Sequence, residues 1–368
     1  MKRLGGLLAC ALTVAGCATA HPAPPGLQYL GQRQVPAGAT LDSTLIGGLS
    51  GISYDPGRDL YYIVSDDRSA KNPARFYTAR IAVSGNGVDG VEFVSTHPWL
   101  RPDGAPFAPL DIAAQPPVVP PDAEGIAVDT GRQRLYWSSE GERRTDDPAA
   151  PVLLDPWVRI ADLDGRYLGE LALPASLRMS AGDSGPRQNA VLEGLTLSPG
   201  GRWLWAGMEG PLFEDGPAPS EANGAVVRVT RFDPETATPT AQYLYPIDAV
   251  TAGPDGDNGL SDFVALDDSS FLALERGYGT HVTSRIYRVE VGDAEDVLMR
   301  PGVAGQQVRT MRKSLLADLT TVPGLTPLDN VEGITLGPML PDGRRSVVVV
   351  SDDNFQPSQI TQVLAFAM

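Results

Sequence analysis

A pattern of paired apolar runs recurs along the chain. In each pair, a short apolar run is followed, after a turn, by a second run whose end carries acidic residues. The first runs lie at 48–55, 123–130, 192–199, 260–267 and 331–338. The second runs lie at 60–67, 135–142, 204–211, 271–278 and 347–354. Apolar runs of this length that are bounded by turn residues predict antiparallel β-hairpins.

The hairpins are copies of one unit. The spacing from the glycine of the first run to the acidic residue of the second is 15 residues in three copies: Gly51 to Asp66, Gly125 to Glu140 and Gly194 to Glu209. Such a repeated spacing indicates a repeat architecture rather than unrelated hairpins.

Each hairpin is followed by further alternating segments, so that one unit holds four antiparallel strands. The fifth unit has only 359–367 after its hairpin, whereas an unassigned strand-like segment, 27–35, lies near the start of the chain. The pattern predicts an all-β fold, a β-propeller of five four-stranded blades whose ring is closed by the N-terminal strand. A six-bladed propeller is the alternative, and a pair of β-sandwiches is a third interpretation.

Charge and composition narrow the function. The chain has 368 residues, of which 40 are Gly and 33 are Pro, and only 20% are charged, which suits short strands joined by tight turns. Its formal net charge of -16 disfavours binding to nucleic acid or to anionic lipid, because both need a basic surface. A cation-binding surface fits this charge better.

The N-terminus predicts export. Lys2 and Arg3 precede the apolar run 4–16, which is too short to span a bilayer, and Cys17 follows in "VAGC", which resembles the lipobox of bacterial lipoproteins. We expect residues 1–20 to contain a lipoprotein signal peptide with its lipidation site, 21–26 to form a tether and 27–368 to form a single propeller domain. Ala18 after the cysteine favours a periplasmic lipoprotein anchored in the outer membrane. An ordinary signal peptide is the alternative.

Acidic residues occupy two equivalent places in the repeat, the start of the first strand and the end of the second. In an antiparallel hairpin these places lie at the same end, so we expect the carboxylates to converge on one mouth of the central channel. Clustered carboxylates of this kind suit Ca²⁺, which takes oxygen ligands. The predicted metal ligands are Asp66, Glu124, Glu140, Glu193, Glu209, Asp262, Glu275, Glu332 and Asp352, with the neutral oxygens of Asn330 and Asn354. The alternative for any one carboxylate is a hydrogen bond that ties adjacent blades together.

Motifs at the hairpins resemble a known family. The ordered series "GGLSGI", "SDDR", "EGI", "LEGL", "GLSDF", "LERG", "NVEGI" and "SDDNF" resembles bacterial phytase-like proteins, described as esterase-like activity of phytase, over residues 40 to 366. The resemblance implies a secreted, propeller-shaped protein grouped with phosphoester hydrolases.

These observations predict an envelope-tethered, calcium-dependent hydrolase that acts on a phosphoester or another small ester. The candidate catalytic residues are Glu193, Glu332, Arg68, Arg276 and His281. Either arginine could steady an oxyanion, and the histidine could act as an acid or contact phosphate. A lactonase-type calcium hydrolase and a noncatalytic binding module with structural calcium are the alternatives.

Other observations restrict the substrate and the metal. Few basic residues lie at the strand ends, which disfavours inositol hexakisphosphate. Three histidines and two N-terminal cysteines give no Zn²⁺ ligand spacing, and no G-x-S-x-G motif is present. The predicted partners are a small-molecule ester or phosphoester substrate and, through the lipid anchor only, a membrane. The long insertions 100–122 and 175–190 are expected to form the walls of the substrate cleft.

Overall fold

The structure, a computed structural model, describes residues 26–368. The predicted signal peptide with Cys17, and all of the predicted tether except Gly26, lie outside the described residues. The chain forms five four-stranded antiparallel sheets arranged in a ring, which confirms the prediction of a five-bladed β-propeller. Within residues 26–368 there is no sixth four-stranded sheet.

The strands of each blade are lettered A to D from the channel outward. Blade 1 contains Leu49–Asp55, Leu60–Ser65, Arg75–Ser84 and Gly87–Pro98. Blade 2 contains Ile126–Asp129, Arg134–Ser139, Trp157–Asp162 and Tyr167–Glu170. Blade 3 contains Leu192–Leu197, Leu204–Met208, Ala225–Asp233 and Thr238–Ile247. Blade 4 contains Gly259–Ala265, Ser270–Gly277, Thr283–Glu290 and Arg312–Asp318. Blade 5 contains Val331–Met339, Arg345–Ser351, Gln362–Ala367 and, as strand D, Gln28–Gln34.

The N-terminal strand closes the ring, as predicted. Gln28–Gln34 pairs antiparallel with Gln362–Ala367, so that blade 5 contains both ends of the described chain. This closure joins the two ends of the ring through backbone hydrogen bonds.

The inner strands approach each other closely around the channel. A Cβ atom added to Gly51 would lie 2.4 Å from the carbonyl oxygen of Glu124 in the next blade. A Cβ atom added to Gly125 would lie 2.4 Å from the carbonyl oxygen of Glu193. A side chain at either position would therefore collide with backbone, which explains the glycine at this position of the repeat.

The hydrophobic core lies between neighbouring blades. Between blades 1 and 2, Trp99 stacks on Trp137 with ring centroids 4.2 Å apart, and Trp157 packs edge-on against Trp137. Outside the blades are two small hairpins and three short 3₁₀ helices: Thr40–Leu41 with Thr44–Leu45, Glu142–Arg144 with Val152–Leu154, Ala175–Leu177, Phe213–Asp215 and Leu319–Thr321. None of the helices in residues 26–368 has the length and apolarity needed to cross a membrane.

Candidate metal centre

A ring of five side-chain positions surrounds one end of the channel at the start of strand A. In blade 5, Val331 pairs with Ser351 and Gly333 pairs with Val350, so a bulge leaves Glu332 unpaired between them. Similar irregularities occur at the start of strand A in blades 1, 3 and 4. We call the residues at this position the first ring, and they are Ser50, Glu124, Glu193, Ser261 and Glu332.

A second ring of positions lies at the end of strand B. In blades 1, 3 and 5 the backbone N–H of the residue that follows strand B donates to the carbonyl of the residue just before strand A: Asp66 to Gly48 (2.9 Å), Glu209 to Val191 (2.8 Å) and Asp352 to Asn330 (2.8 Å). In blade 2, Glu140 N–H donates to the carbonyl of Asp122 at 3.1 Å. The hairpin register therefore places these residues beside the first ring. We call them the second ring, and they are Asp66, Glu140, Glu209, Arg276 and Asp352.

The structure does not bring Asp262 into either ring. In the register of blade 4, Ser261 has the first-ring position and Asp262 has the place that glycine occupies in the other four blades. The Asp262 carboxylate instead accepts hydrogen bonds from the backbone N–H groups of Phe263 and of Ile334 in blade 5, each at 2.8 Å. It ties blade 4 to blade 5, which was the alternative role considered for a repeated carboxylate.

Glu275 also lies away from the two rings. Glu275 is the third residue from the end of strand B. The next residue, Arg276, has the second-ring position. Because successive side chains in a strand point to opposite sides, a shift of one residue directs Glu275 away from the channel. Its carboxylate accepts hydrogen bonds from the Tyr245 hydroxyl at 2.7 Å and the Asn258 amide at 3.0 Å, and it pairs with Lys313.

Six residues of the two rings line the base of an open cavity of about 520 Å³. Seven carboxylates and two guanidinium groups line it, an excess of five negative charges when every group is ionised. The charged lining residues are Asp66, Asp122, Glu124, Glu193, Asp257, Glu332, Asp352, Arg68 and Arg276. Such an excess in a buried site requires protons or a cation.

Burial and mutual repulsion raise the pKa values of the carboxylates in and around this cavity. Burial raises the pKa of Asp122 to about 6 although Arg68 lowers it, and burial raises the pKa of Glu209 to about 7 although Arg276 lowers it. Burial also raises the pKa of Glu193 well above its usual value, and the nearby carboxylates of Glu124 and Glu209 raise it further. The cavity therefore holds protons in the absence of a cation.

The two arginines neutralise part of the charge. Arg68 pairs with Glu142 at 2.6 Å and with Asp122 at 3.3 Å. Arg276 forms ion pairs with Glu332 at 3.0 Å, Glu209 at 3.2 Å and Asp257 at 3.5 Å. Both guanidinium groups are engaged by protein carboxylates.

Oxygen atoms suited to a hard cation remain. Asp122, Glu124 and Glu140 each offer a carboxylate oxygen, and these three atoms lie within 4.8 Å of one another, so this buried triad could bind a metal. Asp66 Oδ1 and Asn330 Oδ1 are buried and accept no hydrogen bond within the described chain. Unpartnered buried oxygens are costly in a folded protein, and a divalent cation is the kind of ligand that would satisfy them.

The remaining predicted site residues lie at the mouth or outside it. Asn354 is exposed and lines the cavity, and its backbone N–H donates to Asp352 Oδ1 at 2.7 Å. His281 is exposed, lies near Thr280, with 3.2 Å between its Nδ1 and the threonine hydroxyl, and does not line the cavity.

The sequence interpretation missed several cavity residues. Asp122 precedes Glu124 by two positions, as Asn330 precedes Glu332, so the repeat contained a signal for it. Asp122 and Asn189, near the ends of the insertions 100–122 and 175–190, bring both insertions to the cavity. Others were missed because they lie in loops; they are Asp257, Tyr278, Gln356 and Gln359.

Comparison with known proteins identifies the family. The model of the phytase-like family, described as esterase-like activity of phytase, matches residues 44–355. The chain belongs to this family. Membership confirms the resemblance seen in the hairpin motifs and makes a hydrolase-type function plausible. No curated protein matches the sequence of this phytase-like chain.

Solved structures of low sequence identity align over most of this phytase-like chain. A periplasmic gluconolactonase of Pseudomonas aeruginosa is 13% identical, with 94% of this chain and 98% of that chain covered and a TM-score of 0.35. A gluconolactonase of Xanthomonas campestris is 11% identical, with 97% and 100% covered and a TM-score of 0.36. A xylan β-1,4-xylosidase of Bacillus halodurans is 11% identical, with 94% and 53% covered and a TM-score of 0.44. At these TM-scores the likeness carries no argument about function.

Proposed function

We propose that the protein is a calcium-dependent hydrolase that cleaves small esters in the acidic cavity. The observation that carries this proposal is the convergence of buried carboxylates around two buried, unpartnered oxygens, Asp66 Oδ1 and Asn330 Oδ1, in a chain of a family described by esterase activity. Phosphoesters and lactones are the two other substrate types that such a site could hydrolyse.

The donor set fits Ca²⁺. Carboxylate and amide oxygens without histidine or cysteine suit a hard cation, and Ca²⁺ takes six to eight such ligands with variable geometry. The triad Asp122, Glu124 and Glu140 together with Asp66 and Asn330 would hold it. A bound Ca²⁺ would polarise the carbonyl or phosphoryl oxygen of the ester and lower the pKa of a bound water.

Glu193 is the residue best suited to accept a proton. No group in residues 26–368 donates a hydrogen bond to its carboxylate, which faces the cavity. Burial, with Glu124 and Glu209 nearby, raises its pKa, which makes its carboxylate a stronger proton acceptor than an ordinary glutamate. As water attacks the acyl carbon, Glu193 receives one proton, the ester C–O bond breaks, and the leaving alcohol takes that proton back. The products are a carboxylic acid and an alcohol.

Arg276 positions the neighbouring carboxylates. Its guanidinium bridges Glu209 and Glu332, and the amide of Asn330 donates to Glu332 Oε1 at 2.9 Å. These bonds hold Glu332 on the arginine side of the cavity, where the same guanidinium lies close enough to the rings to stabilise a developing oxyanion.

For localisation, we propose that the propeller is a periplasmic lipoprotein, tethered to the outer membrane by a lipid on Cys17. The support is the lipobox-like "VAGC" sequence. Labelled palmitate should be incorporated into the full-length chain and not into a Cys17→Ser variant, and incorporation into both would contradict this tether.

The hydrolase proposal is tested with a chain that lacks residues 1–20, which keeps every strand because the blades lie within residues 28–367. Hydrolysis of p-nitrophenyl acetate, p-nitrophenyl phosphate and a δ-lactone is measured in EDTA and in Ca²⁺. Turnover that requires Ca²⁺ and is lost in Glu193→Gln supports the proposal. Glu170→Gln is the matched control, because Glu170 lies on the outermost strand of blade 2 and pairs with Arg159.

Two results would contradict this assignment. A thermal stabilisation by Ca²⁺ without turnover of any substrate would show a binding module with structural calcium. No change in either stability or turnover on addition of Ca²⁺ would show that the carboxylates do not form a metal centre.

A further inference from the structure

The mouth of the cavity carries polar and aromatic groups that the proposed hydrolysis does not use. They are Tyr278, Asn189, Asn354 and Gln356, which line the cavity above the two rings. Tyr278 lies in the loop after strand B of blade 4, and Asn354 and Gln356 lie in the corresponding loop of blade 5. The mouth is thus bordered mainly by neutral groups, with the exposed carboxylate of Asp257 beside Tyr278, whereas the base carries most of the charge.

Tyr278 presents an aromatic ring at a fixed place. Tyr278 is 46% exposed, although burial of an aromatic ring usually stabilises a protein. Two hydrogen bonds fix its backbone, one from its N–H to Asp257 Oδ1 at 2.7 Å and one from the Asp257 N–H to its carbonyl at 2.9 Å. Among residues 26–368 its hydroxyl has no hydrogen-bond partner, so both the ring face and the hydroxyl are available to a ligand.

The three amides are likewise available. Asn189, Asn354 and Gln356 are exposed, and in the described chain their side chains make no hydrogen bond. An amide offers two N–H donors and a carbonyl acceptor without a net charge. It therefore suits hydroxyl groups, which both donate and accept.

The charge of the cavity disfavours a phosphorylated substrate. Seven lining carboxylates face two guanidinium groups that are already paired, and no lysine of the described chain lines the cavity. One Ca²⁺ would leave an excess of three negative charges when all groups are ionised, so a phosphate group would be repelled. A cationic substrate would compete with the metal for the same carboxylates.

We propose that the substrate is an ester or lactone of a neutral, polyhydroxylated ring compound. The ring face packs on Tyr278, and the hydroxyl groups bind Asn189, Asn354 and Gln356. This inference rests on the proposed hydrolase function. It also accounts for product release: hydrolysis adds water across the acyl C–O bond, the carboxylic acid formed loses its proton to solvent, and the acidic cavity repels the resulting carboxylate.

The test compares kcat/KM for four esters in Ca²⁺: an O-acetylated methyl hexoside, the same compound with a 6-phosphate, acetylcholine and p-nitrophenyl acetate. We expect the neutral sugar ester to exceed its phosphorylated form by at least about tenfold, which corresponds to about 1.4 kcal/mol. In Tyr278→Ala, the ratio of kcat/KM for the sugar ester to that for p-nitrophenyl acetate should fall about tenfold, mainly through KM.

Two variants separate ring packing from a general loss of structure. Tyr278→Phe keeps the ring face and should retain most of the preference for the sugar ester. Tyr167→Ala removes a half-buried tyrosine from the outermost strand of blade 2 and should leave the ratio unchanged.

Equal or faster turnover of the phosphorylated sugar ester or of acetylcholine would overturn the inference while leaving the hydrolase function intact. An unchanged ratio in Tyr278→Ala would do the same. Absence of Ca²⁺-dependent turnover of all four esters would instead overturn the hydrolase function, and this inference with it.

Discussion

The acidic cavity should make the protein less stable as the pH rises, unless a divalent cation is present. Burial raises the pKa of Asp122 to about 6 and that of Glu209 to about 7. The folded protein therefore binds more protons than the unfolded chain between about pH 4 and pH 7. A carboxyl group whose pKa is raised by folding contributes full stability below its unfolded pKa and loses it as the pH rises through its folded pKa. The free energy of unfolding should accordingly fall over this window.

The magnitude follows from the two values. For Asp122, the change from 3.8 to about 6 corresponds to about 3 kcal/mol, and for Glu209 the change from 4.5 to about 7 corresponds to about 3 kcal/mol. Because neighbouring carboxylates share protons, the sum of about 6 kcal/mol is an upper limit. With an unfolding entropy of about 0.7 kcal/mol per kelvin for a domain of this length, Tm should fall by about 4–8 °C.

The assay is thermal unfolding followed by circular dichroism from pH 5 to pH 8, in EDTA and in Ca²⁺. We expect Tm to fall with pH in EDTA, whereas Ca²⁺ should raise Tm most at pH 8, because the cation binds the ionised carboxylates. His97 acts in the opposite direction because burial lowers its pKa, and His97→Gln removes that contribution. Asp122→Asn and Glu209→Gln should flatten the EDTA curve, whereas Glu170→Gln should not. A Tm in EDTA that is constant or rises between pH 5 and pH 8 would refute this reasoning.

Three further predictions concern single residues. Asn330→Ala removes a buried unpartnered oxygen, so isothermal titration should show Ca²⁺ affinity reduced by at least about tenfold, or about 1.4 kcal/mol, with an unchanged fold by circular dichroism. Asp262→Ala removes the acceptor for the Ile334 N–H, so chemical denaturation should show a loss of about 2–4 kcal/mol with Ca²⁺ affinity unchanged. Arg276→Gln leaves two carboxylates without their guanidinium partner, so the variant should lose about 3 kcal/mol in EDTA and recover part of it in Ca²⁺, as measured by the Tm difference. These role assignments would be wrong if Asn330→Ala left Ca²⁺ affinity unchanged and Asp262→Ala reduced it.

The fold could be predicted because hairpin spacing is a local property. The 15-residue interval between the glycine and the acidic residue reflects the length of one hairpin. Ring closure could be predicted because the fifth repeat lacks one strand and a strand-like segment lies near the start of the chain. Side-chain positions around the channel needed the register as well, since a slip of one residue moves a side chain to the other side of a strand.

Blade 4 illustrates this limit. Aligning its acidic residues with those of the other blades selects Asp262 and Glu275, whereas aligning the apolar pair Leu260 and Phe263 with Leu192 and Leu195 selects Ser261. The apolar pair is the better guide, because burial fixes which side of the strand faces the core. The bulge at the start of strand A was not visible in the sequence and made both alignments look acceptable.

The residues that line the cavity differ in how far the repeat predicts them. Asp122 lies in the register of the repeat and could have been found by comparing it with Asn330. Tyr278 and Gln356 lie in loops of different length and composition, where no periodicity relates one blade to the next. Their approach to the cavity depends on the folded path of each loop, and hydrophobic patterning carries no information about that path.

The departure of blade 4 from the repeat gives the cavity two unlike sides. The first ring contains three glutamates and two serines, and the second contains four carboxylates and Arg276, so blade 4 contributes Ser261 and Arg276 where blade 3 contributes two glutamates. Arg276 neutralises Glu209 and Glu332. The unpartnered oxygens of Asp66 and Asn330 belong to blades 1 and 5, and the carboxylate triad belongs to blade 2. A uniform ring of carboxylates would hold a cation on the axis and repel every ester oxygen around it. Because Arg276 neutralises two carboxylates on its side, the cation proposed over blades 5, 1 and 2 would leave the blade 4 side the less negative one, where an ester oxygen can approach, as the proposed hydrolysis requires.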